Sequence, residues 1–403
     1  MFPRALNGLK VVEWGEFISA PYCAKMFGGM GAEVIKVEEP GLGDEARRYG
    51  PFPNDVPHSE RSGLYLYLNT NKLGITLNLR TATGRAILNK LLKEADVFIE
   101  NRQPRQVEEL GLDYASLSKV NPRLIVTSIT AYGQTGPYRD YKGYDLNAQM
   151  LGGAGGILGS PDREPLRFPG CVGYYQAAVS AAAATMVAIF AQRKDGLGQV
   201  VDISEAQVMA TLQRGYVVTA FVYLGLKSQR LGHRGSGRQW PYGVFPCKDG
   251  YVTIMTLEDY HWRWFVEAMG SPEWATDPRW GDAFERMKYA DELEAHLIGW
   301  LMNHTKDEIM EMAQRRRCPF VKVHNAQDLL QSPHLRARDY FVEVEHPEVG
   351  VLSYPGAPAK LYQTPWQVTQ RAPLLGEHNE HILCGRLGYS KKDLADLRRA
   401  GVI

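Results

Sequence analysis

A chain of 403 residues exceeds the roughly 250 to 300 at which one hydrophobic core stops growing, so two domains are expected and a hormone-sized or disulfide-scaffold fold is excluded. Its 44% hydrophobic and 23% charged residues suit an ordinary folded protein, and no stretch approaches the roughly 20 uninterrupted apolar residues of a membrane span. Lys and Arg number 46 against 45 Asp and Glu, a formal charge of +1, which excludes the broad positive field that draws proteins to nucleic acid or anionic lipid. Any anionic ligand must be held by a local cluster. The opening Met1-Phe2-Pro3-Arg4 lacks the apolar core of a secretory signal. Cys23, Cys171, Cys247, Cys318 and Cys384 are odd in number and widely spaced, so a cytoplasmic protein with reduced thiols is expected. His378 and His381 stand three apart without an HExxH pattern or paired cysteines, and no metal site is expected.

In chain order, LKVVEW (Leu9 to Trp14) reads as a strand, Pro21 to Met30 as an amphipathic helix and EVIKVE (Glu33 to Glu38) as a second strand, the parallel βαβ pattern. The alternation recurs with a helix over Gly84 to Ala95, a strand over Asp96 to Glu100, a short helix centred on Leu117 and a strand over Leu124 to Ile129. These repeats predict a doubly wound α/β sheet, yet the first strand-to-helix turn, GEFISAP, has no GxGxxG and removes the main support for a dinucleotide. A glycine-rich loop (Leu151 to Ser160) leads to a small-residue helix from about Tyr175 to Arg193, read as an interior helix. GQVVDIS (Gly198 to Ser204) is then a strand opening onto another helix. From about Leu231 the character changes to a hairpin turning at Lys248-Asp249-Gly250, followed by helical segments rich in Trp and Met. The proline-punctuated tail, with SYPGAPAKL and RAPLLGEH, reads as surface-packing chain.

The ordered strings LNGLKVVEW, GAEVIKVEEPGLGD, NTNKLGITLNL, DVFIEN, KGYDLNAQ, GQVVDIS, PYGVFPCKDGYV and RAPLLGEHN resemble the class III CoA-transferase family, the group of formyl-CoA transferase, carnitine CoA-transferase and α-methylacyl-CoA racemase. The resemblance covers almost the whole chain. It implies a Rossmann-like doubly wound large domain over 1–215 and 330–403, a smaller α+β domain over 225–325, and two chains interlocked in a dimer. It also implies a coenzyme A thioester as substrate, with no covalently bound cofactor.

The family's chemistry requires an aspartate that attacks the acyl-CoA thioester and then carries CoA as an enzyme thioester. Only a carboxylate can play both parts. In this chain Gly173-Tyr174 stands where the family has Gly-Asp, and a phenol, about 0.1% ionised at pH 7, has no carbonyl to carry CoA. Of the carboxylates nearest in sequence, Asp162 and Glu164 lie in the preceding loop, and Asp145 matches a family aspartate read as structural, such as a helix cap. Tyr144 takes the place of the racemase histidine, so the racemase branch fails at both positions.

The resemblance further assigns Lys72, Asn101 and Lys142 to CoA binding, and Ile18, Tyr144, Gly235 and Gly237 to the substrate pocket, with Gly235-Ser236-Gly237-Arg238 a partial match to a shielding glycine loop. Glu39 and Glu109 stand where transferases often have phosphate-facing arginines. Framework motifs are kept while site residues have changed. The expectation is therefore a subunit without its own nucleophile, similar to the aspartate-lacking chain of heteromeric members such as benzylsuccinate CoA-transferase, paired with a homologous aspartate-bearing subunit in a heterodimer or heterotetramer. Its expected substrates are an acyl-CoA such as succinyl-CoA and a carboxylic acid, with no nucleic-acid or membrane partner. The alternatives are a stand-alone CoA-thioester isomerase, lyase or hydrolase, or a scaffold or CoA sensor.

Overall fold

A computed structural model describes residues 4–212, 218–235, 237 and 239–403. The chain divides into two compact units, the first formed by Met1–Ala154, Phe168–Arg214 and Arg336–Ile403, the second by Gly155–Arg167 and Gly215–Leu335.

The first unit is built on six strands: β1 (Lys10–Trp14), β2 (Glu33–Glu38), β3 (Leu73–Thr76), β4 (Val97–Glu100), β5 (Ile125–Thr130) and β6 (Val200–Ser204). They lie in the order β3-β2-β1-β4-β5-β6, every pair parallel. This is the Rossmann order, with its switch point between β1 and β4. Among the described residues the same unit holds helices α1 (Ser19–Gly29), α2 (Gly63–Leu68), α3 (Ala82–Leu92), α4 (Pro104–Glu109), α5 (Tyr114–Val120), α6 (Asp145–Leu151), α7 (Val172–Asp195) and α8 (Glu205–Leu212), and a last helix over Lys391–Arg399. Because strand side chains alternate, Val11, Val34 and Val97 pack under α1 and α7 on one face, while Val12, Ile35 and Phe98 pack with α3 on the other.

The sequence reading passed over β3, which is four residues long and interrupted by Gly74. Its outer edge is taken by the returning tail. A Cβ at Gly74 would come within 2.7 Å of Pro373, Gly74 N–H donates to His378 Nδ1 at 3.1 Å, and Thr76 N–H donates to Asn379 Oδ1 at 2.8 Å. RAPLLGEHN is thus the segment that closes an otherwise open sheet edge.

Helix α7 is apolar on two sides. Ala177, Ala178, Ala181, Ala182 and Ala188 pack on the sheet and on α1, where small side chains allow close approach. The opposite stripe of Val179, Ala183, Met186, Val187 and Phe190 is exposed, Val187 at 71% and Phe190 at 77%. Its length and composition would let it cross a membrane, but its alanine face is committed to β5 and β6.

The second unit carries an antiparallel sheet of β7 (Tyr242–Cys247), β8 (Gly250–Met255) and β9 (Val321–Lys322), with helices over Asp259–Ala268, Ala290–Leu301 and Lys306–Arg315. Trp240, Phe245, Trp262, Phe265, Trp280 and Phe320 form its core.

Candidate active site

Beyond the C-terminal ends of β1, β4 and β5, at the switch point of the sheet, lies a cleft of about 270 Å³ within the first unit. Of the residues singled out from sequence, Ile18, Asn101, Tyr144 and Tyr174 line it. Lys142 is exposed on the rim, between the lining residues Tyr141 and Gly143. Glu39 and Glu109 are not among its lining residues, and Glu109 instead pairs with Arg105 at 2.9 Å on an exposed helix face. Gly235 and Gly237 belong to the second unit. A Cβ at Gly235 would meet the Tyr242 ring at 2.4 Å, and Ser236 and Arg238 lie outside the described residues.

Tyr174 is the third residue of α7, whose cap Cys171 gives no side-chain cap bond. Asp145 supplies that function from α6: its Oδ1 accepts the Tyr174 N–H at 3.1 Å, and Gln149 Nε2 donates to its Oδ2 at 2.6 Å. Gly173 lets the carboxylate approach, since a Cβ there would sit 2.6 Å from Oδ1. Asp145 is 5% exposed and spent on these bonds, which fits a cap rather than a nucleophile. The Tyr174 ring meets Phe17 edge-on at 5.8 Å, and Phe17 meets Tyr49 at 4.7 Å, giving the cleft an aromatic wall. Burial, with the Glu205 carboxyl nearby, pushes the Tyr174 phenol above its ordinary value, further from the ionised form a nucleophile needs.

Lys72 requires a correction. It is 0% exposed, and its ammonium donates to Glu13 Oε2 at 2.7 Å, Pro21 O at 2.8 Å and Asn69 Oδ1 at 2.8 Å. With all three donors engaged inside the core, it does not face a phosphate. The same Glu13 accepts Lys36 Nζ at 2.7 Å, and Lys36 reaches Asp44 at 2.7 Å. Asp44 in turn accepts the N–H of Phe17, a residue held at φ 63°, at 2.8 Å. A buried ion network therefore holds one wall of the cleft in a backbone conformation that non-glycine residues rarely adopt.

Sequence reasoning missed the cleft's own cations and one carboxyl. Arg102 lines the cleft, paired with Glu16 at 2.7 Å and lying 4.9 Å over Trp14, and Arg139 pairs with Glu108 at 2.6 Å. Glu205, first residue of α8 and 3% exposed, lines the cleft beside Tyr174. Its signal was legible: it directly follows GQVVDIS, at the C-terminal end of a parallel strand. Burial and the neighbouring Asp145 carboxylate push the Glu205 carboxyl up to about 8, against a Ser19 hydrogen bond that pulls it down. The unfolded carboxyl titrates near ~4.3, so between these values the native state holds the extra proton and stability falls as pH rises. Glu205→Gln is expected to gain in urea midpoint relative to the unmodified chain as pH is raised from about 5.5 to about 8.5. An unchanged difference across that window would show that Glu205 ionises normally. Among the described residues no group of three or more His, Cys, Asp or Glu side chains could hold a metal ion.

A sequence profile described as CoA-transferase family III matches residues 6–379. The chain is 34% identical over 402 residues to succinyl-CoA–D-citramalate CoA-transferase of Chloroflexus aurantiacus, covering 100% of this chain and 98% of that protein. It is 33% identical over 397 residues to the BbsE subunit of succinyl-CoA:(R)-benzylsuccinate CoA-transferase of Thauera aromatica, covering 95% and 94%. A CAIB/BAIF family protein from Brucella suis superposes with a TM-score of 0.85 at 28% identity, over 95% of this chain and 99% of that one.

Proposed function

We propose that this chain, which belongs to CoA-transferase family III, is the subunit of a heteromeric CoA-transferase that supplies fold and pocket but not the carboxyl relay. The observation that carries the reading is Tyr174, a phenol at the head of α7, in a cleft whose described lining residues include no aspartate. The partner is a homologous subunit with aspartate at the equivalent position, in a heterodimer or heterotetramer. Two features support a partner. The outer stripe of α7 ending in Val187 and Phe190 exposes apolar surface on a helix already buried on its other side, and one relative is itself named as a subunit.

The donor is succinyl-CoA, which both relatives' names contain, and the acceptor is a carboxylic acid. A benzylsuccinate-like acceptor suits the aromatic wall of Phe17, Tyr49 and Tyr174. Lys142 at the rim, with Arg102 and Arg139 in the cleft, is the cation set we assign to CoA phosphates, and Asn101 positions its neighbours. The chain works in the cytoplasm, consistent with the lack of any disulfide among its described cysteines.

The deciding measurement is transfer by the chain alone against the chain mixed with an aspartate-bearing homologue. A second measurement addresses position 174 directly. Tyr174→Asp, incubated with succinyl-CoA and trapped with hydroxylamine, is expected to be modified at residue 174. Turnover should stay faint, because each missing preorganised donor costs ~3 kcal/mol. No modification despite succinyl-CoA binding would remove position 174 from the reacting site.

A further inference from the structure

Glu205 is a carboxyl group buried without a cation. Among the described residues no Lys, Arg or His side chain pairs with it, and the charged group nearest it from α6 is the Asp145 carboxylate. From α7 it faces Tyr174 and from α1 the Ser19 hydroxyl, while Asp202 of β6 is turned to the Gln134 N–H at 3.0 Å. Isolated burial beside an anion favours the neutral acid.

Hydrogen bonds behind it fix its neighbours Asn101 and Ser19. Asn101 Oδ1 accepts the Glu16 N–H at 2.9 Å, which settles the orientation of the amide. Its Nδ2 then donates to Glu16 O at 2.8 Å and to Ser19 Oγ at 3.0 Å. Asn101 has no donor left for a ligand. Ser19, already accepting from Asn101, turns its own O–H towards Glu205. Glu205 itself lines the cleft, so a protonated carboxyl there has an O–H to offer a ligand.

We propose that Glu205 is a specificity-determining residue of this cleft, a carboxylic acid that donates its O–H to a carboxylate or thioester carbonyl oxygen of the bound ligand. The ligand class, an acyl-CoA or free carboxylic acid, rests on the function proposed above, whereas the protonated state does not. Asn101 and Ser19 act through Glu205 as positioning residues. Deprotonation would turn the donor into an anion facing an anion, so binding should weaken with rising pH.

The test has three arms, each on the full chain. Infrared difference spectra of the unmodified chain minus Glu205→Gln should contain a carboxylic-acid carbonyl band near neutral pH that disappears in alkali. Succinyl-CoA, measured by calorimetry, should bind the unmodified chain about tenfold more weakly at about pH 9 than at about pH 7, the loss expected when the competent protonated form falls to about a tenth. Glu205→Gln, which keeps an N–H donor, should bind with no such loss, and Glu205→Met should bind weakly at both pH values while unfolding at a similar temperature. The proposal is overturned by absence of the acid band, by the same pH loss in Glu205→Gln, by no succinyl-CoA binding at either pH, or by a hydroxylamine-trapped adduct on Glu205. Transfer by the chain alone would defeat the partner reading while leaving these results unaffected.

Discussion

Assayed alone with succinyl-CoA and a panel of carboxylic acids, the purified chain is expected to transfer CoA at a rate at least about 10⁴-fold below that of the same chain mixed with an aspartate-bearing homologous subunit, the scale on which removal of a covalent nucleophile is felt. The reason is stoichiometric before it is kinetic. An acyl group placed on Tyr174 would be an aryl ester whose one carbonyl belongs to the acyl group, so the liberated CoA attacking it could only reverse the step. The phenol is also held more firmly in its neutral form than in water, by burial and by Glu205. Asp145 cannot stand in, since Tyr174 N–H and Gln149 Nε2 occupy its oxygens. Full turnover by the single chain, shown free of host transferase, would sink the proposed division of labour.

The second large effect is on stability. Glu13→Ala is expected to destabilise the first unit by about 3–5 kcal/mol, because it strips the shared counter-ion from Lys36 and Lys72, both fully buried. Glu13→Gln, which keeps an acceptor but loses the charge, should fall between this and the unmodified chain. The exposed pair of Lys10 with Glu94, at 3.2 Å, supplies the control, and Lys10→Ala should cost at most about 1 kcal/mol. Urea midpoints followed by intrinsic fluorescence order the variants. A Glu13→Ala midpoint indistinguishable from that of Lys10→Ala would show that the two buried lysines find other partners or shed their protons cheaply.

Five of the six parallel strands were legible because each is a run of β-branched residues preceded by a helical period or a turn, and the order of family-like strings located the cleft residues Ile18, Asn101, Tyr144 and Tyr174. β3 escaped because Leu73–Thr76 is short, carries a glycine and borrows its edge partner from Asn379, some 300 positions away in the chain. Lys72 misled for a related reason: a lysine in a polar string reads as surface, and nothing local reveals that Glu13, on another strand, will take it inside. Glu205 lies 31 positions beyond Tyr174 in the chain, and only the convergence of parallel strands at their C-terminal ends brings the two to one cleft. The sheet gathers Glu205 from the segment after β6, Ser19 from the segment after β1 and Asn101 from the segment after β4 around one cleft.

Asp145 grips position 174 through the main chain alone, by the N–H that every residue except proline possesses. The helix start, the glycine before it and the cap are therefore indifferent to which side chain residue 174 carries. In evolutionary terms, if position 174 is the nucleophile's, as proposed, that group can be lost or regained at one codon with the helix cap intact, the change being confined to side-chain packing against Phe17. After duplication of an ancestral gene, a copy drifting to tyrosine would remain a well-made subunit, retained for what its other surfaces do.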